Sequence, residues 1–293
     1  MANSIALAQK YLPLLDEVYK QSSKTLDLES SPVIFDGAQT VKVYKLSLSG
    51  LKNYSRNSGF TAGDVTGTWE SWTLANDRGI TFSVDAMDNN ETLDLSFGKL
   101  GGEFERTKVV PEIDMYRFAK LASTTGISST SAALTANNIL AAIMAAEGKL
   151  SEDEVPEEGR ILYITPTAFN LLKQVAGSRV VPANGSEVNY NFPTFDGMKI
   201  VQVPQSRFKS AVQYNTTTQA IEATSSAVNI NFMIVHPSAV VATAKHAKLR
   251  VFDPDTNQQA DAYKFDYRIY HDLFVYENKV AGIYVHKAAA AAA

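Results

Sequence analysis

Apolar and polar side chains alternate over residues 40–49, which marks a strand, but the phase breaks. Val41 and Val43 point to one side, and Leu46 and Leu48 to the other. A bulge or twist near Tyr44 is the expected cause. Residues 51–67 are polar and carry Gly59, Gly63 and Gly67, so they read as a loop tip. Residues 69–74 and 80–85 read as the returning strands, joined by a turn over 75–79, with Ile80, Phe82 and Val84 on one face. The result is a long hairpin carrying Tyr54, Phe60, Trp69 and Trp72. A lone two-stranded hairpin is marginal in water. Its rings therefore need cover, either from the rest of the chain or from a neighbouring molecule.

Elsewhere the periods alternate between helix and strand. Over residues 3–20, Ile5, Leu7, Ala8, Leu12, Leu15 and Val18 form one helical stripe, with Asn3 or Ser4 as the cap and a kink or break at Pro13. Residues 21–38 look extended and irregular, as a docking arm or a frayed terminus would. Pro111 suits the first turn of a helix whose surface is mostly apolar: Ile113, Met115, Tyr116, Phe118, Ala119, Leu121 and Ala122. A Ser/Thr-rich break over 124–131 precedes a second helix over 135–149, capped by Thr135 and burying Ile139, Leu140, Ile143 and Met144. Residues 151–158 form an acidic linker. A strand over 160–165, a helix from Pro166 through Val175, a loop over 180–195 and strands over 198–203 and 228–235 follow. In the last region Tyr263, Phe265, Tyr267 and Ile269 alternate with polar residues and Tyr270, and 273–276 pairs with 280–285 across Glu277-Asn278-Lys279 as an expected hairpin. Together these elements predict a mixed α/β or α+β chain.

Composition narrows the function by exclusion. The 293 residues are 45% hydrophobic and 20% charged, ordinary values for a globular protein of about two domains. A net charge of -4 argues against a surface that grips nucleic acid along its length. No cysteine is present, so disulfides and thiolate chemistry are excluded. No run of about 18 apolar residues is present for a membrane helix, and the first residues lack the basic-then-apolar order of a secretory signal. The final alanine run, 288–293, carries no packing information.

Candidate chemistry is sparse. His236, His246, His271 and His286 form no His-x-x-x-His pair, and no Gly-x-Ser-x-Gly elbow or phosphate-cradling loop occurs. His271 and Asp272 are neighbours on a strand and point to opposite faces. Asp253-x-Asp255-x-Asn257 opens like a calcium loop, but Gln258 and Lys264 stand where glycine and a bidentate glutamate are required, so a plain turn is expected. No catalytic, cofactor-binding or metal-binding residue is expected, and the chain is not expected to be an enzyme.

Several segments, in order, resemble the major capsid proteins of tailed bacteriophages. Val109-Val110-Pro111-Glu112-Ile113-Asp114-Met115-Tyr116-Arg117-Phe118 resembles the start of their spine helix. Gly159-Arg160-Ile161-Leu162-Tyr163-Ile164-Thr165-Pro166 is similar to the opening of their axial domain, and 195–204 to a later strand there. Residues 230–237 resemble the return to the peripheral domain, and 267–284 the ending. The resemblance spans nearly all of 1–287, and the order of the motifs is its specific part.

The resemblance implies the Hong Kong 97 capsid fold. The expected parts are an N-terminal arm over 1–39, an extended hairpin loop over 40–86, a peripheral domain with the spine helix over 87–158, an axial domain over 159–239, returning peripheral strands over 240–287 and the alanine tail. It also implies self-assembly into hexamers and pentamers of an icosahedral shell that encloses double-stranded DNA without reading its sequence. Scaffolding, portal and decoration proteins are the implied partners, the host cytoplasm the place of assembly, the virion the final location, and no membrane is involved. No coiled N-terminal extension is present, so scaffolding is expected as a separate protein or a removed segment. Some relatives crosslink through Lys and Asn. Lys45, Lys52 and Asn278 are available types, but no motif pairs them, and no crosslink is expected. Trp69, Trp72, Phe60 and Arg78 are the expected intersubunit anchors, since aromatic and Arg residues are favoured at such contacts. The alternatives are a nanocompartment shell of the same fold, like an encapsulin, and an α/β hydrolase with a pocket at His271 or His236.

Overall fold

The computed structural model describes residues 23–29, 34–36, 40–57, 59–87, 95–177 and 194–289. The expected helix over 3–20, its kink at Pro13 and most of the 180–195 loop lie outside these residues. In chain order the strands and helices begin with β1 (Ile34–Asp36), β2 (Thr40–Leu48), β3 (Val65–Thr73) and β4 (Asn76–Asp85). Then come α1 (Leu95–Phe104), a π turn (Glu105–Val109), α2 (Val110–Ser123), β5 (Ser128–Ser131), α3 (Ile139–Glu152), β6 (Ile161–Ile164) and α4 (Pro166–Gly177). The rest is β7 (Thr194–Phe195), β8 (Met198–Gln202), β9 (Val212–Asn215), β10 (Ala220–Ala223), β11 (Ile230–Val235), β12 (Val240–Phe252), β13 (Ala262–Val275) and β14 (Ile283–Lys287). The class is α+β, one of the two that the periods allow and the one that the resemblance implies.

Two sheets carry the core. One has the order β5-β14-β11-β6-β8-β7, the other β12-β13-β4. Central strands of the first are buried on both faces, so they read as continuous apolar runs. Tyr163, Met233 and Val285 face the end of α2 at Phe118 and Leu121; Leu162, Phe232 and Ile234 face α3 and α4. On the three-stranded sheet Phe265, Tyr267 and Ile269 pack under Val109 and Ile113, as their alternation foretold.

The helix from Leu95 to Ser123 therefore crosses both sheets, and it starts earlier than Pro111. Pro111 has no N–H, and inside an α-helix its ring would clash with the carbonyl four residues back. The wider π turn just before it relieves this: the Val110 amide bonds the Glu105 carbonyl, five residues back. A proline that reads as a helix start here marks a bulge within one.

Other expectations are corrected by where the strands pair. β4 does not return along the hairpin; it pairs with β13 from Asn76↔His271 to Asp85↔Ala262, and part of the expected 75–79 turn is strand. The 273–276 and 280–285 segments are not a hairpin. Residues Glu277–Gly282 form a 3-10 turn that carries the chain to the other sheet, where β14 lies between β11 and β5. Gly282 permits this crossing, since a Cβ there would stand 2.9 Å from that of Ala239. The Ser/Thr-rich break contains β5, parallel to β14. On α3 the buried side chains are Ile139, Ile143, Ala146 and Leu150, while Met144 is exposed. Residues 253–257 form the expected turn, closed by the Thr256 and Asn257 amides on the Asp253 carbonyl.

In the last third of the long helix, Asp114 and Arg117 are fully buried. Asp114 accepts hydrogen bonds from the Ser23 hydroxyl (3.2 Å), the Lys24 and Thr25 amides (3.0 and 3.2 Å), the Thr25 hydroxyl (2.8 Å) and Arg207 Nη1 (3.1 Å). Arg117 donates to the Thr25 hydroxyl and to Glu29, both at 2.9 Å. A buried charge needs this density of partners. The network fixes residues 23–29 on their own chain and lets Leu28 enter the core.

Removing Asp114 takes away the acceptor shared by Ser23, Lys24, Thr25 and Arg207 and the negative charge beside the buried Arg117. Asp114→Ala is expected to destabilise the unassembled subunit by roughly 3 to 5 kcal/mol in a denaturant titration. A loss below about 1 kcal/mol would mean that the network does not hold the helix to the arm.

Candidate functional site

β2 and β3 form the expected projecting hairpin, with continuous register from Thr40↔Thr73 to Leu48↔Val65. No bulge interrupts it, so the phase break at Tyr44 has another cause. In an antiparallel pair, opposite residues share a face. One face carries Val41 with Trp72, Val43 with Glu70, and Lys45 with Thr68; the other carries Tyr44 with Trp69, Leu46 with Gly67, and Leu48 with Val65. The apolar side changes because the cover changes. At the root the first face packs on the chain's own body. Further out, the second face is apolar and has no cover among the described residues.

That outer face is a contiguous stripe. Tyr44, Leu46, Leu48, Val65 and Trp69 are each more than half exposed. Tyr44 and Trp69 meet edge to face at 5.2 Å. Gly67 is required by this packing, since a Cβ there would fall 1.8 Å from the Tyr44 hydroxyl. Beyond the strands Leu51 and Phe60 are almost wholly exposed, and Phe60 touches only the Tyr54 ring, at 5.0 Å, among the ring contacts of described residues. Exposed apolar side chains this close together mark an interaction surface.

The root is built differently. Trp72 stacks on Phe274 at 5.1 Å with 8° between planes and meets Tyr276 edge-on at 5.4 Å. Lys45 Nζ lies 3.2 Å from Glu277. The link from β3 to β4 is held through its backbone: Tyr270 donates to the Leu74 carbonyl at 2.7 Å, and the Ala75 amide donates to Asp272 at 2.9 Å. Asp272 also accepts from the Tyr116 hydroxyl on α2 at 2.7 Å. Burial and the Asp272 charge push that phenol above its usual range.

The four expected anchors thus separate. Trp69 and Phe60 project from the outer stripe and tip. Trp72 packs on its own chain. Arg78, on β4, bonds both oxygens of Glu112 at 2.7 and 3.3 Å and the Gln219 carbonyl at 2.6 Å, and it lies over the Tyr214 ring at 4.9 Å, so its partners here are also its own. Tyr44, Leu46, Leu48 and Val65 were not singled out from the sequence. Their signal was the phase break itself. Of the lysines considered for crosslinking, Lys52 donates to the Ala62 carbonyl at 2.6 Å and Lys45 faces Glu277.

His236 and His286 are held by neighbours: His236 bonds Ser238 and the Glu158 carbonyl, while His286 stacks on Phe232 and bonds Asn231. His271 is buried at the hairpin root against Tyr116. Burial, helped by the Arg117 and Arg78 charges, pushes its pKa down to about 3. The folded chain then holds it neutral while the unfolded chain protonates near 6.5. Its contribution to stability is complete above that pH and is lost as the pH falls from 6.5 towards 3. His271→Gln is expected to flatten the fall of stability over this window, read from denaturant midpoints of the unassembled subunit. An unchanged slope would show that His271 does not drive it.

No protein-family model and no curated protein matches the chain. Solved structures do. "Capsid structure of the Cyanophage P-SCSP1u" matches with a TM-score of 0.64 and 16% identity, over 90% of this chain and 87% of that one. "Asymmetric unit of bacteriophage PhiM1 mature capsid" matches at 0.58 and 15%, over 91% and 87%. "Crystal structure of virus-like particle from Pyrococcus furiosus" matches at 0.58 and 15%, over 96% and 99%. The chain has the Hong Kong 97-like fold of these capsid structures.

Proposed function

We propose that the chain is a major capsid protein of a tailed double-stranded DNA phage, a shell subunit that works by self-assembly and carries no catalytic activity. The observation that carries this is the uncovered apolar face of the hairpin, on a fold shared with phage capsids. A stripe of this kind on a two-stranded ribbon is costly in water unless a second surface covers it. A second copy of the chain supplies that surface, with Trp69 and Phe60 as anchors and Trp72 holding the hairpin from its own side, while Arg78 is engaged within its own body. Many such contacts made together give the avidity that closes a shell. The three-stranded sheet with the first half of the long helix forms the peripheral domain. The six-stranded sheet forms the axial one, taking β5 and β14 from beyond the boundaries expected at 158 and 239. The finished shell belongs to the virion, assembled in the host cytoplasm with separate scaffolding, portal and decoration proteins. Its mild negative charge suits a wall that encloses DNA without binding it tightly.

A nanocompartment of the same fold is the second reading, favoured by the near-complete overlap with the Pyrococcus furiosus particle. Nucleic acid decides between them. Particles from the natural source are expected to hold double-stranded DNA, and an enclosed protein without DNA would select the compartment.

The stripe is tested directly by Leu46→Asp, which places a charge on the surface to be buried. The variant is expected to give folded subunits that do not close into particles. The two tryptophans lie on opposite faces, so Trp72→Phe leaves Trp69 as the sole reporter. Its emission is expected to shift to the blue on assembly. Normal particles from Leu46→Asp, or no shift, would remove the stripe from the interface.

A further inference from the structure

We propose that Trp72 is a positioning residue, a latch that sets the angle of the hairpin in the free subunit before any neighbour arrives. The proposal rests on the shell reading above. The hairpin belongs to the sheet β1-β2-β3, and none of its strands hydrogen-bonds to the sheet of β12, β13 and β4 or to the six-stranded sheet. Its direction therefore depends on contacts made between sheets, not on a continuous ladder. These contacts gather on one face of the root. Trp72 lies flat on Phe274, with Tyr276 closing its edge. Its indole N–H donates to Glu70 on its own strand at 3.0 Å, which fixes the ring's rotamer from the hairpin side. From the body side, Lys279 lies over the Tyr276 ring at 5.2 Å and donates to the Ser238 carbonyl.

Leverage makes the angle matter. Strands of nine residues project about 30 Å, so a tilt of roughly 10° at the root moves the far end by about 5 Å. A stripe displaced that far no longer meets its partner surface. A hairpin already held at the right angle loses less freedom on docking, and assembly is faster and tighter for it. Phe274 and Tyr276 lie at the end of β13 and just before the 3-10 turn, so the latch also joins the hairpin to the segment where the chain passes from one main sheet to the other.

The latch is read without assembly by trypsin cleavage after Lys42, which follows the Val41–Trp72 pair at the root, in the Leu46→Asp background. Cleavage within a strand requires local opening. Trp72→Ala is expected to raise the rate of that cleavage roughly ten-fold, with Trp72→Phe near the parent rate, because the phenyl ring retains the stack. The melting of the body and cleavage after Lys52 at the exposed tip are expected to stay unchanged in both. Phe274→Leu is expected to reproduce the effect from the other side. With Leu46 restored, Trp72→Ala is expected to slow particle formation and Trp72→Phe to recover it. Unchanged cleavage after Lys42 in Trp72→Ala would overturn the latch, and so would faster cleavage with normal assembly. Failure of the unsubstituted chain to assemble at all would overturn the shell reading instead, with the cleavage result standing apart from it.

Discussion

The fold depends on one helix that must bury different stretches of itself against two sheets. From Leu95 to Ser123 the helix lays Val109 and Ile113 on the three-stranded sheet and Phe118 and Leu121 on the six-stranded one. Between these stretches stand Asp114 and Arg117, buried charges at the place where neither sheet offers apolar cover. The N-terminal segment fills that place with backbone amides, the Ser23 and Thr25 hydroxyls and the Glu29 carboxylate. Thr25 both donates to Asp114 and accepts from Arg117. A helix end, an arm and Arg207 are thereby fixed by one set of charge-assisted bonds, which tolerate little misplacement.

The hairpin is the complement of that interior. Where the body satisfies itself, the hairpin is finished on one face only. Its root is held by an aromatic stack and by backbone bonds from Tyr270 and Asp272, groups that hold a strand in place and leave nothing for a partner. Its outer face offers Tyr44, Leu46, Leu48, Val65 and Trp69, groups that water penalises and a partner rewards. The division follows the register residue by residue, which is why two tryptophans three positions apart serve different ends.

Much of this was legible in the sequence, and the failures have physical causes. Alternation at Tyr263, Phe265, Tyr267 and Ile269 gave a strand and its buried face, because one face meets a core. β12 was not read, since Val240, Val241, Ala242 and Thr243 are all buried and a register shift follows between Lys245 and Lys248; both erase a two-residue period. Ile80, Phe82 and Val84 were read correctly as a strand, but periodicity does not say which strand is the partner, and β4 went to β13. Pro111 obeyed a local rule for helix starts that the π turn overrode. At the hairpin, aromatic content pointed to Trp72 as readily as to Trp69. Only the register separates the ring that is already covered from the one that is not.

Electron microscopy of the purified, expressed chain, with size-exclusion chromatography beside it, tests the central claim that the stripe is completed by another copy. Closed shells or tubes, with the hairpin lying across an adjacent subunit, are the predicted result. A compact monomer at every salt concentration would contradict it.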